Sequence, residues 1–358
     1  MDGNQVSAHV RGNAAILKEM VEASGERGIA VIGHYNPDGD CVGSVMGMHI
    51  FLSRIGLKSV PILPNRYPSF LDFLDPEGRA VIYDSDRKRA ERLIMDSAMV
   101  ICSDFNSFGR TEHMTETLAG YMEKHGAENI FFIDHHTGGY PEGCRHISTT
   151  EISSTCELMF YTLREMARPG RIPEGVLTPL ATGVLTDTNN FNNSIFPSTF
   201  EAASEFISNG VDLGKINNEV FRSYSENRMR LMGYMLYERM TVLPEFGASY
   251  MLLSMQDKER FMFQTGDAEG LVNMPLGIKN IGISALFTEY EDNIRVSLRS
   301  KGDIPVNELS GMFFNGGGHR NASGGKLTIP LKDVPAYYRS SLERFLLKKG
   351  AAAGNEND

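Results

Sequence analysis

Acidic and histidine side chains follow several short apolar segments in the first half of this 358-residue chain. The run GIAVI leads into GHYNPDGD, which contains His34, Asp38 and Asp40. The run MVICS leads to Asp104, and NIFFI leads into the triplet Asp-His-His at residues 134–136. Side chains of these types act as general acids, general bases and metal ligands, so they are the first candidates for chemistry.

The elements that precede these residues are predicted to be parallel strands. Up to about residue 190, short β-branched apolar runs alternate with segments of helical periodicity, which is typical of a parallel sheet covered by helices. Because the carboxyl ends of parallel strands lie along one edge of the sheet, acidic groups from distant parts of the chain should meet there. A further apolar stretch, VLTPLATGVLT, brings Asp187 to the same group.

Clustered carboxylates repel one another and raise one another's pKa unless a cation neutralises them. Carboxylate oxygens mixed with neutral imidazole favour a divalent ion such as manganese over the thiolate sites of structural zinc and the all-oxygen cages of calcium. Two such ions, about 3.5–4 Å apart, activate water and clamp the attacking and leaving oxygens of a phosphoryl displacement. The pattern therefore predicts a metal centre that hydrolyses phosphate esters.

Each motif has a plainer interpretation when it is taken alone. Asp and Gly are common in polar turns, and His135 with His136 could be strand-end histidines satisfied by hydrogen bonds. Asp38 does not begin an EF-hand calcium loop, because the fifth position is Val42 and the twelfth is His49. Since several acidic segments are expected at one sheet edge, a shared metal centre explains them together.

The second half of the chain carries a different set of polar groups. The strand-like run RVSLRS places Arg295 and Arg299 on one face, because they are separated by four residues. The run NGGGHRNASGG contains three glycines at 316–318, followed by His319 and Arg320. Glycines let backbone N–H groups approach an anion, and arginine binds phosphate or carboxylate through two donors. A flexible turn and a solvated strand face are the alternatives.

Length and pattern predict two domains in an α/β chain. We expect an N-terminal domain with a Rossmann-like parallel sheet at residues 1–195 and a helical connector at 196–240. A smaller α+β domain follows at 241–348, because strand-like runs such as ASYMLLSM and IGISALFTEY are grouped there with fewer helices between them. The polar tail, 349–358, is expected to be disordered.

Composition limits the partners of the protein. The net charge of −10 argues against binding to long duplex nucleic acid, which requires a basic surface, but a short nucleotide stays open. The four cysteines are widely spaced and predict neither a disulfide framework nor a zinc site. Cys41, inside the acidic turn, is more simply a small buried thiol than a ligand. No apolar run is long enough for a membrane span, so we expect a cytoplasmic protein.

Taken in order, the motifs HYNPDGD, the isolated Asp104, DHH, Asp187 and GGGH resemble those of the DHH phosphoesterase superfamily with its DHH-associated C-terminal domain. The resemblance covers nearly the whole chain. The compact layout is similar to the nanoRNase group, bifunctional enzymes that hydrolyse very short RNA and dephosphorylate 3'-phosphoadenosine 5'-phosphate (pAp). It implies two divalent metal ions, with manganese as the expected metal.

The resemblance also implies roles for individual residues. It implies six metal ligands: His34, Asp38, Asp40, Asp104, His135 and Asp187. His34, Asp38 and Asp104 would bind one ion, and the remaining ligands would bind the other together with Asp104 as the bridge. The catalytic residues would be Asp104, as this bridge, and His136, which would lie beside the metals and contact the scissile phosphate. Asp134 would orient a histidine, and Asn36 would support the site by hydrogen bonding. Five residues would hold the terminal phosphate or nucleotide of the substrate: Arg299, Gly316, Gly317, Gly318 and His319.

We therefore expect a phosphoesterase that uses metal-activated hydroxide to degrade short oligoribonucleotides to mononucleotides and to dephosphorylate pAp. Hydrolysis of cyclic or linear dinucleotides, or of polyphosphate, is the nearest alternative. A non-catalytic nucleotide sensor is the alternative from another class. Small phosphorylated nucleotides are the expected partners, without a membrane or a long duplex, and a homodimer stays open.

Overall fold

The computed structural model describes residues 1–354, with side chains through residue 348, and these form two compact units. The first unit is Met1–Ser223, and the second begins at Tyr224. The boundary between them falls inside the segment 196–240 that the sequence predicts as a helical connector. Of the predicted disordered tail, residues 349–354 lie in the last helix, and residues 355–358 lie outside the described residues.

A parallel sheet forms the centre of the first unit. Its strands are β1 Ile29–Ile32, β2 Ser59–Leu63, β3 Val81–Ile82, β4 Met99–Ser103, β5 Ile130–Asp134 and β6 Arg145–Ser148. They lie in the order β3-β2-β1-β4-β5-β6, and every neighbouring pair is parallel. The predicted parallel sheet is confirmed. The edge strands β3 and β6 were not predicted from the sequence, because β3 has only two residues and β6 exposes Arg145 and His146 instead of forming an apolar run.

Helices cover both faces of this sheet. The helices of the first unit are α1 Gly3–Ala23, α2 Gly39–Arg54, α3 Arg87–Asp96, α4 Thr115–His125, α5 Thr155–Ala167, α6 Leu177–Asp187, α7 Pro197–Ser208 and α8 Leu213–Phe221. Along β1, Ile29 and Val31 join the core formed with α1, α2, α5 and α6. Ala30 and Ile32 join the core formed with α3 and α4. This alternation buries the strand on both faces, which explains its uninterrupted apolar sequence.

The second unit is built on a mixed sheet. Its strands are β7 Met240–Leu243, β8 Ala248–Leu253, β9 Ile283–Glu289, β10 Ile294–Ser300, β11 Gly317–His319 and β12 Ala322–Leu327. The strand order is β11-β12-β10-β9-β8-β7, in which β8 and β9 are parallel and the other neighbours are antiparallel. The helices of this unit are α9 Glu226–Tyr234, α10 Met255–Arg260, α11 Val306–Phe313 and α12 Val334–Gly354. The predicted smaller α+β domain is confirmed.

Apolar side chains of β8, β9 and β10 pack against α11 and α12 in the core of the second unit. Tyr338, on α12, is fully buried there, and its ring lies 5.3 Å from that of Phe287 on β9. Among residues 1–354, no helix is both long enough and apolar enough to span a bilayer.

The glycine-rich run of the second unit forms a β-hairpin, made by β11 and β12, rather than an irregular loop. A Cβ atom at Gly316 would overlap the carbonyl oxygen of Gly324, and one at Gly318 would lie 2.7 Å from the carbonyl oxygen of Ala322. Gly318 also has a φ of +136°, a backbone conformation that residues other than glycine rarely adopt. A Cβ at Gly317 would instead meet open space. The close packing of the hairpin therefore explains two of the three predicted glycines.

We predict that Gly316→Ala destabilises the second unit by about 1–3 kcal/mol, because the new methyl group has no room. The adjacent Gly317→Ala is the matched control and should change stability by less than about 0.5 kcal/mol. Urea denaturation followed by circular dichroism measures both. Equal stability of the two variants would show that the hairpin does not pack as closely as described.

Candidate metal centre

The predicted acidic and histidine residues of the first unit converge at the carboxyl end of its parallel sheet. They are here called the acidic cluster: His34, Asp38, Asp40, Asp104, His135, His136 and Asp187. His34 and Asp38 lie between β1 and α2, Asp40 lies in the first turn of α2, and Asp104 follows β4 directly. His135 and His136 follow β5, whereas Asp187 is the last residue of helix α6. The structure thus brings together segments that are far apart in the sequence.

The imidazole of His34 is oriented by its own turn. Its Nδ1 lies 2.9 Å from the backbone carbonyl oxygen of Tyr35, and since a carbonyl only accepts, Nδ1 carries the proton. In the neutral ring, Nε2 then presents a lone pair. Nε2 lies 3.3 Å from Oδ2 of Asp104 and 4.0 Å from Oδ1 of Asp38. A lone pair that faces carboxylate oxygens is favourable only when a proton or a cation lies between them.

Asp104 is the centre of the acidic cluster. It is buried, and its φ of +68° lies in the left-handed region, which Asp and Asn tolerate better than most residues. Its Oδ1 lies 3.6 Å from Nδ1 of His136 and 3.8 Å from Nε2 of His135. Its Oδ2 faces His34. Asp104 therefore contacts histidines from both sides of the cluster.

Asp40 and Asp187 form the other side of the cluster. Nε2 of His135 lies 3.8 Å from Oδ2 of Asp40 and 3.6 Å from Oδ2 of Asp187. Asp40 is buried, whereas the side chain of Asp187 is about one third exposed, at 31%. Asp38 accepts hydrogen bonds at Oδ1 from the backbone N–H groups of Asp40 and Cys41, both at 3.1 Å, and so caps helix α2.

His136 is held by Asp134. Its Nδ1 lies 2.7 Å from Oδ1 of Asp134, whose other oxygen accepts a hydrogen bond of 3.3 Å from the hydroxyl of Tyr140. Burial lowers the pKa of His136, but the hydrogen bond to Asp134 and the charge of Asp104 outweigh burial and raise it above the ordinary value. Asn36 pairs with Asn65, whose Oδ1 accepts its backbone N–H at 2.7 Å.

The electrostatics of the cluster show a shortage of positive charge. Burial raises the pKa of Asp40 well above its usual range, and the carboxylates of Asp104 and Asp187 raise it further. Burial acts in the same direction on Asp104, but the hydrogen bond with His34 and the charge of His136 bring its pKa below the usual range. The histidines thus outweigh the effect of burial on the pKa of Asp104, whereas the pKa of Asp40 stays raised. A divalent cation would relieve this repulsion.

The donor atoms fall into neighbouring groups that suit metal ions. His34, Cys41 and Asp104 offer ligand atoms within 4.8 Å of one another, and so do Asp40, His135 and Asp187. The contact between Asp104 and His135 joins the two groups. Burial, together with the nearby carboxylates, raises the pKa of Cys41 well above its usual value, and its Sγ accepts the backbone N–H of His34 at 3.2 Å. The remaining oxygen and nitrogen donors fit hard or borderline divalent ions.

Two residues at the start of α5 contact the cluster and were missed in the sequence analysis. The backbone N–H of Thr155 donates to Oδ2 of Asp40 at 2.7 Å, and that of Cys156 donates to Oδ1 at 2.8 Å. The hydroxyl of Thr155 donates to Oδ1 of Asp104 at 2.8 Å. The run SSTCE predicts a helix start here, because Ser154 and Glu157 have the spacing of a capping box. Such a start offers backbone donors to an anion. Nothing in the sequence assigned those donors to Asp40.

The predicted capping box at this helix is only half present. Ser154 caps α5 by accepting the N–H of Glu157 at 3.0 Å. The carboxylate of Glu157, however, accepts from the N–H of Ser153 at 3.1 Å and from the hydroxyl of Thr199 at 2.7 Å. The reciprocal hydrogen bond, from the N–H of Ser154 to this carboxylate, is replaced because the side chain of Glu157 is buried against the start of α7.

In the second unit, the sheet register aligns two of the predicted substrate groups. Arg299 pairs with Ala322, and Ala322 pairs with His319 across its other edge. Residues directly opposite on neighbouring strands project from the same face, so Arg299 and His319 share a face of this sheet. Arg295 lies on that face as well and is exposed. The guanidinium of Arg320 donates a hydrogen bond of 3.0 Å to the backbone carbonyl oxygen of Asp303.

Comparisons with known proteins identify the family of both parts of the chain. Residues 28–184 match the model of the DHH family, N-terminal domain, and residues 248–337 match the DHHA1 domain. The bifunctional oligoribonuclease and PAP phosphatase NrnA of Thermus thermophilus is 26% identical over 345 residues, covering 96% of each protein. These matches confirm the resemblance predicted from the motifs.

Solved structures share the architecture. A crystal structure of an exopolyphosphatase-related protein from Bacteroides fragilis is 34% identical, covers 94% of this chain and 98% of its own, and superposes with a TM-score of 0.84. RecJ from Thermus thermophilus, in complex with Mn²⁺, is 14% identical, with a TM-score of 0.57 over 94% of this chain and 55% of its own. The RecJ likeness shows a shared fold.

We predict that Gly183→Ala damages the acidic cluster. A Cβ at Gly183, on α6, would overlap Sγ of Cys156 and lie 2.8 Å from Oδ1 of Asp40. The variant should lose about 1–3 kcal/mol in the free energy of unfolding, as overpacked cores do. Gly120→Ala, on α4, is the control, because its Cβ would meet open space and alanine favours a helix by up to about 1 kcal/mol. Urea denaturation distinguishes them, and equal stability would contradict the packing described.

Proposed function

Because the chain belongs to the DHH family, we propose that it is a metal-dependent phosphoesterase that acts on short oligoribonucleotides and on pAp. The observation that carries this proposal is the buried Asp104 carboxylate, in contact with histidines from two separate segments at the carboxyl end of a parallel sheet. The relative from Thermus thermophilus, which matches along 96% of both proteins, supports the choice of substrates.

The residues of the acidic cluster would hold two divalent ions. In our proposal, His34 and Asp38 bind one ion, while Asp40, His135 and Asp187 bind the other. Asp104 would be the ligand shared by both, since its two oxygens face opposite sides of the cluster. When bound, such ions lower the pKa of water and neutralise charge on the phosphate. Manganese is the metal we propose, on the chemistry of a mixed carboxylate and imidazole donor set.

His136 is proposed to bind the phosphate that is cleaved. The hydrogen bond between its Nδ1 and Oδ1 of Asp134, at 2.7 Å, favours the protonated form of this imidazole. A protonated imidazole donates a charge-assisted hydrogen bond to a phosphoryl oxygen. Asp134 fixes the ring through Nδ1, so the orientation of the donor does not have to be selected when substrate binds.

The second unit is proposed to supply groups for the end of the substrate. Arg299 and His319 face the same way on its sheet and provide donors for a terminal phosphate. The open space beside Gly317 lets an anion approach the backbone there. Short substrates agree with the net charge of −10, because a long nucleic acid would require a continuous basic surface.

Hydrolysis of inorganic polyphosphate is a second candidate function. It is favoured by the Bacteroides fragilis structure, whose description is exopolyphosphatase-related and whose sequence is 34% identical to this chain. Polyphosphate and RNA share the phosphoryl centre that the acidic cluster would attack. They differ in the base and ribose, so a direct comparison of substrates separates the two functions.

A substrate panel with Mn²⁺ tests the proposed function. Di- to pentanucleotide RNA, pAp, cyclic di-AMP and polyphosphate are compared by phosphate release and chromatography. We expect hydrolysis of short RNA and pAp, and loss of both activities after treatment with EDTA. Preferred turnover of polyphosphate would support the second candidate instead. Nucleotide binding without any turnover would identify a sensor rather than an enzyme.

We predict that Asp104→Asn abolishes turnover while the fold is kept. Asparagine tolerates the left-handed backbone at this position, but it removes the charge that both ions would share. Turnover of pAp should fall by at least about 10²-fold, since loss of a charged ligand removes several kcal/mol of charge stabilisation. Asp72→Asn, which breaks a surface pair with Arg66, is the control and should keep wild-type turnover. Retained activity of the Asp104 variant would contradict the assigned site.

A further inference from the structure

Thr155 touches two carboxylates of the acidic cluster at once. It is the first residue of α5 and is fully buried. Its hydroxyl donates to Oδ1 of Asp104 at 2.8 Å, and its backbone N–H donates to Oδ2 of Asp40 at 2.7 Å. These two acids come from different segments, one after β4 and one in the first turn of α2. A single buried residue thus links both halves of the cluster.

The hydroxyl bond fixes the plane of the Asp104 carboxylate. A carboxylate that contacts histidines on several sides has more than one favourable rotation about its Cβ–Cγ bond. The hydroxyl of Thr155 selects the rotation in which Oδ1 lies on the side of His135 and His136 and Oδ2 lies on the side of His34. Each carboxylate oxygen has two lone pairs, so one hydrogen bond leaves room for a cation at the same oxygen.

The chemical type of the donor also matters. A lysine or arginine at this position would neutralise Asp104 and compete with a cation for the same charge. A threonine hydroxyl orients the carboxylate but leaves its negative charge in place. Threonine is also branched at Cβ, which restricts its χ1 angle and gives the hydroxyl a defined direction.

The start of α5 is itself held firmly. Ser154 caps the helix, and the buried carboxylate of Glu157 accepts hydrogen bonds from Ser153 and from the hydroxyl of Thr199 on α7. These bonds fix the segment that presents Thr155. The donor therefore has a defined position before any ligand arrives, which is the requirement for a preorganised site.

We propose that Thr155 is a positioning residue for the metal centre, which orients the shared ligand Asp104 and, through its N–H, the ligand Asp40. This inference rests on the proposed function, because it concerns ions that the acidic cluster would bind. Thr155 does not contact the substrate in this proposal. It acts on affinity for the ions through two carboxylates.

Thr155→Val tests the inference, because valine keeps the branched shape of threonine and replaces its hydroxyl with a methyl group, which cannot donate a hydrogen bond. Isothermal titration of the full-length, metal-free protein with Mn²⁺ should show affinity about 10- to 100-fold weaker than that of the wild type, as is typical when a partner of a metal ligand is lost. Thr155→Ser restores the hydroxyl and should recover the affinity. At saturating Mn²⁺, the valine variant should regain most of its turnover of pAp.

The matched control is Thr162→Val on the same helix. Thr162 is also fully buried, but its hydroxyl donates to the carbonyl oxygen of Leu158, away from the acidic cluster. It should lose stability on thermal melting and keep wild-type Mn²⁺ affinity. If Thr155→Val does not fold, as judged by circular dichroism, Thr155→Ala provides the same comparison with less bulk.

The outcomes separate the inference from the proposed function. Wild-type Mn²⁺ affinity in Thr155→Val, failure of Thr155→Ser to recover affinity, or equal weakening by Thr162→Val would each overturn the positioning role. In those cases the wild type still binds Mn²⁺, and the proposed function stands. A wild-type protein that binds no Mn²⁺ would overturn the proposed function and the positioning role with it.

Discussion

Repulsion between buried carboxylates is the constraint on which the first unit depends. Asp40 and Asp104 are almost completely buried, and Asp38, which caps α2, and Asp187, which ends α6, belong to the same cluster. The chain supplies histidines and neutral donors around them but no lysine or arginine side chain in hydrogen bond with Asp40 or Asp104 among the described residues. Basic side chains as partners, or apolar residues in place of these acids, would make the folded state more stable. The uncompensated charge is the feature that makes this sheet edge suited to cations.

The sequence predicted the central strands and the acidic cluster well, for physical reasons. Strands β1, β2, β4 and β5 are buried on both faces, so they appear as short apolar runs. Parallel strands share the edge at which they end, so residues that follow them could be expected to meet. Asp187 joined the cluster from a helix rather than a strand, and apolar run length alone does not distinguish these elements.

Contacts between distant segments were beyond the sequence patterns. The bond from Thr155 to Asp40 spans 115 positions, and no periodicity or spacing encodes such a pair. The same limit applies to Glu157. Its spacing from Ser154 predicted a hydrogen bond to the backbone N–H of Ser154, but its carboxylate accepts a hydrogen bond from the distant Thr199 instead. The glycine run shows a related ambiguity. Gly316 and Gly318 are accounted for by backbone packing within a hairpin, which leaves Gly317 as the position whose identity packing does not explain.

The left-handed backbone of Asp104 has an evolutionary consequence. Few residue types occupy this conformation without strain, and asparagine is foremost among those that also match the size of aspartate. Aspartate and asparagine codons differ by a single base. If Asp104 has the role proposed above, one nucleotide substitution could therefore change a descendant of this protein from catalysis to simple ligand binding without a compensating change in the backbone. The same single base change in the opposite direction would restore the aspartate.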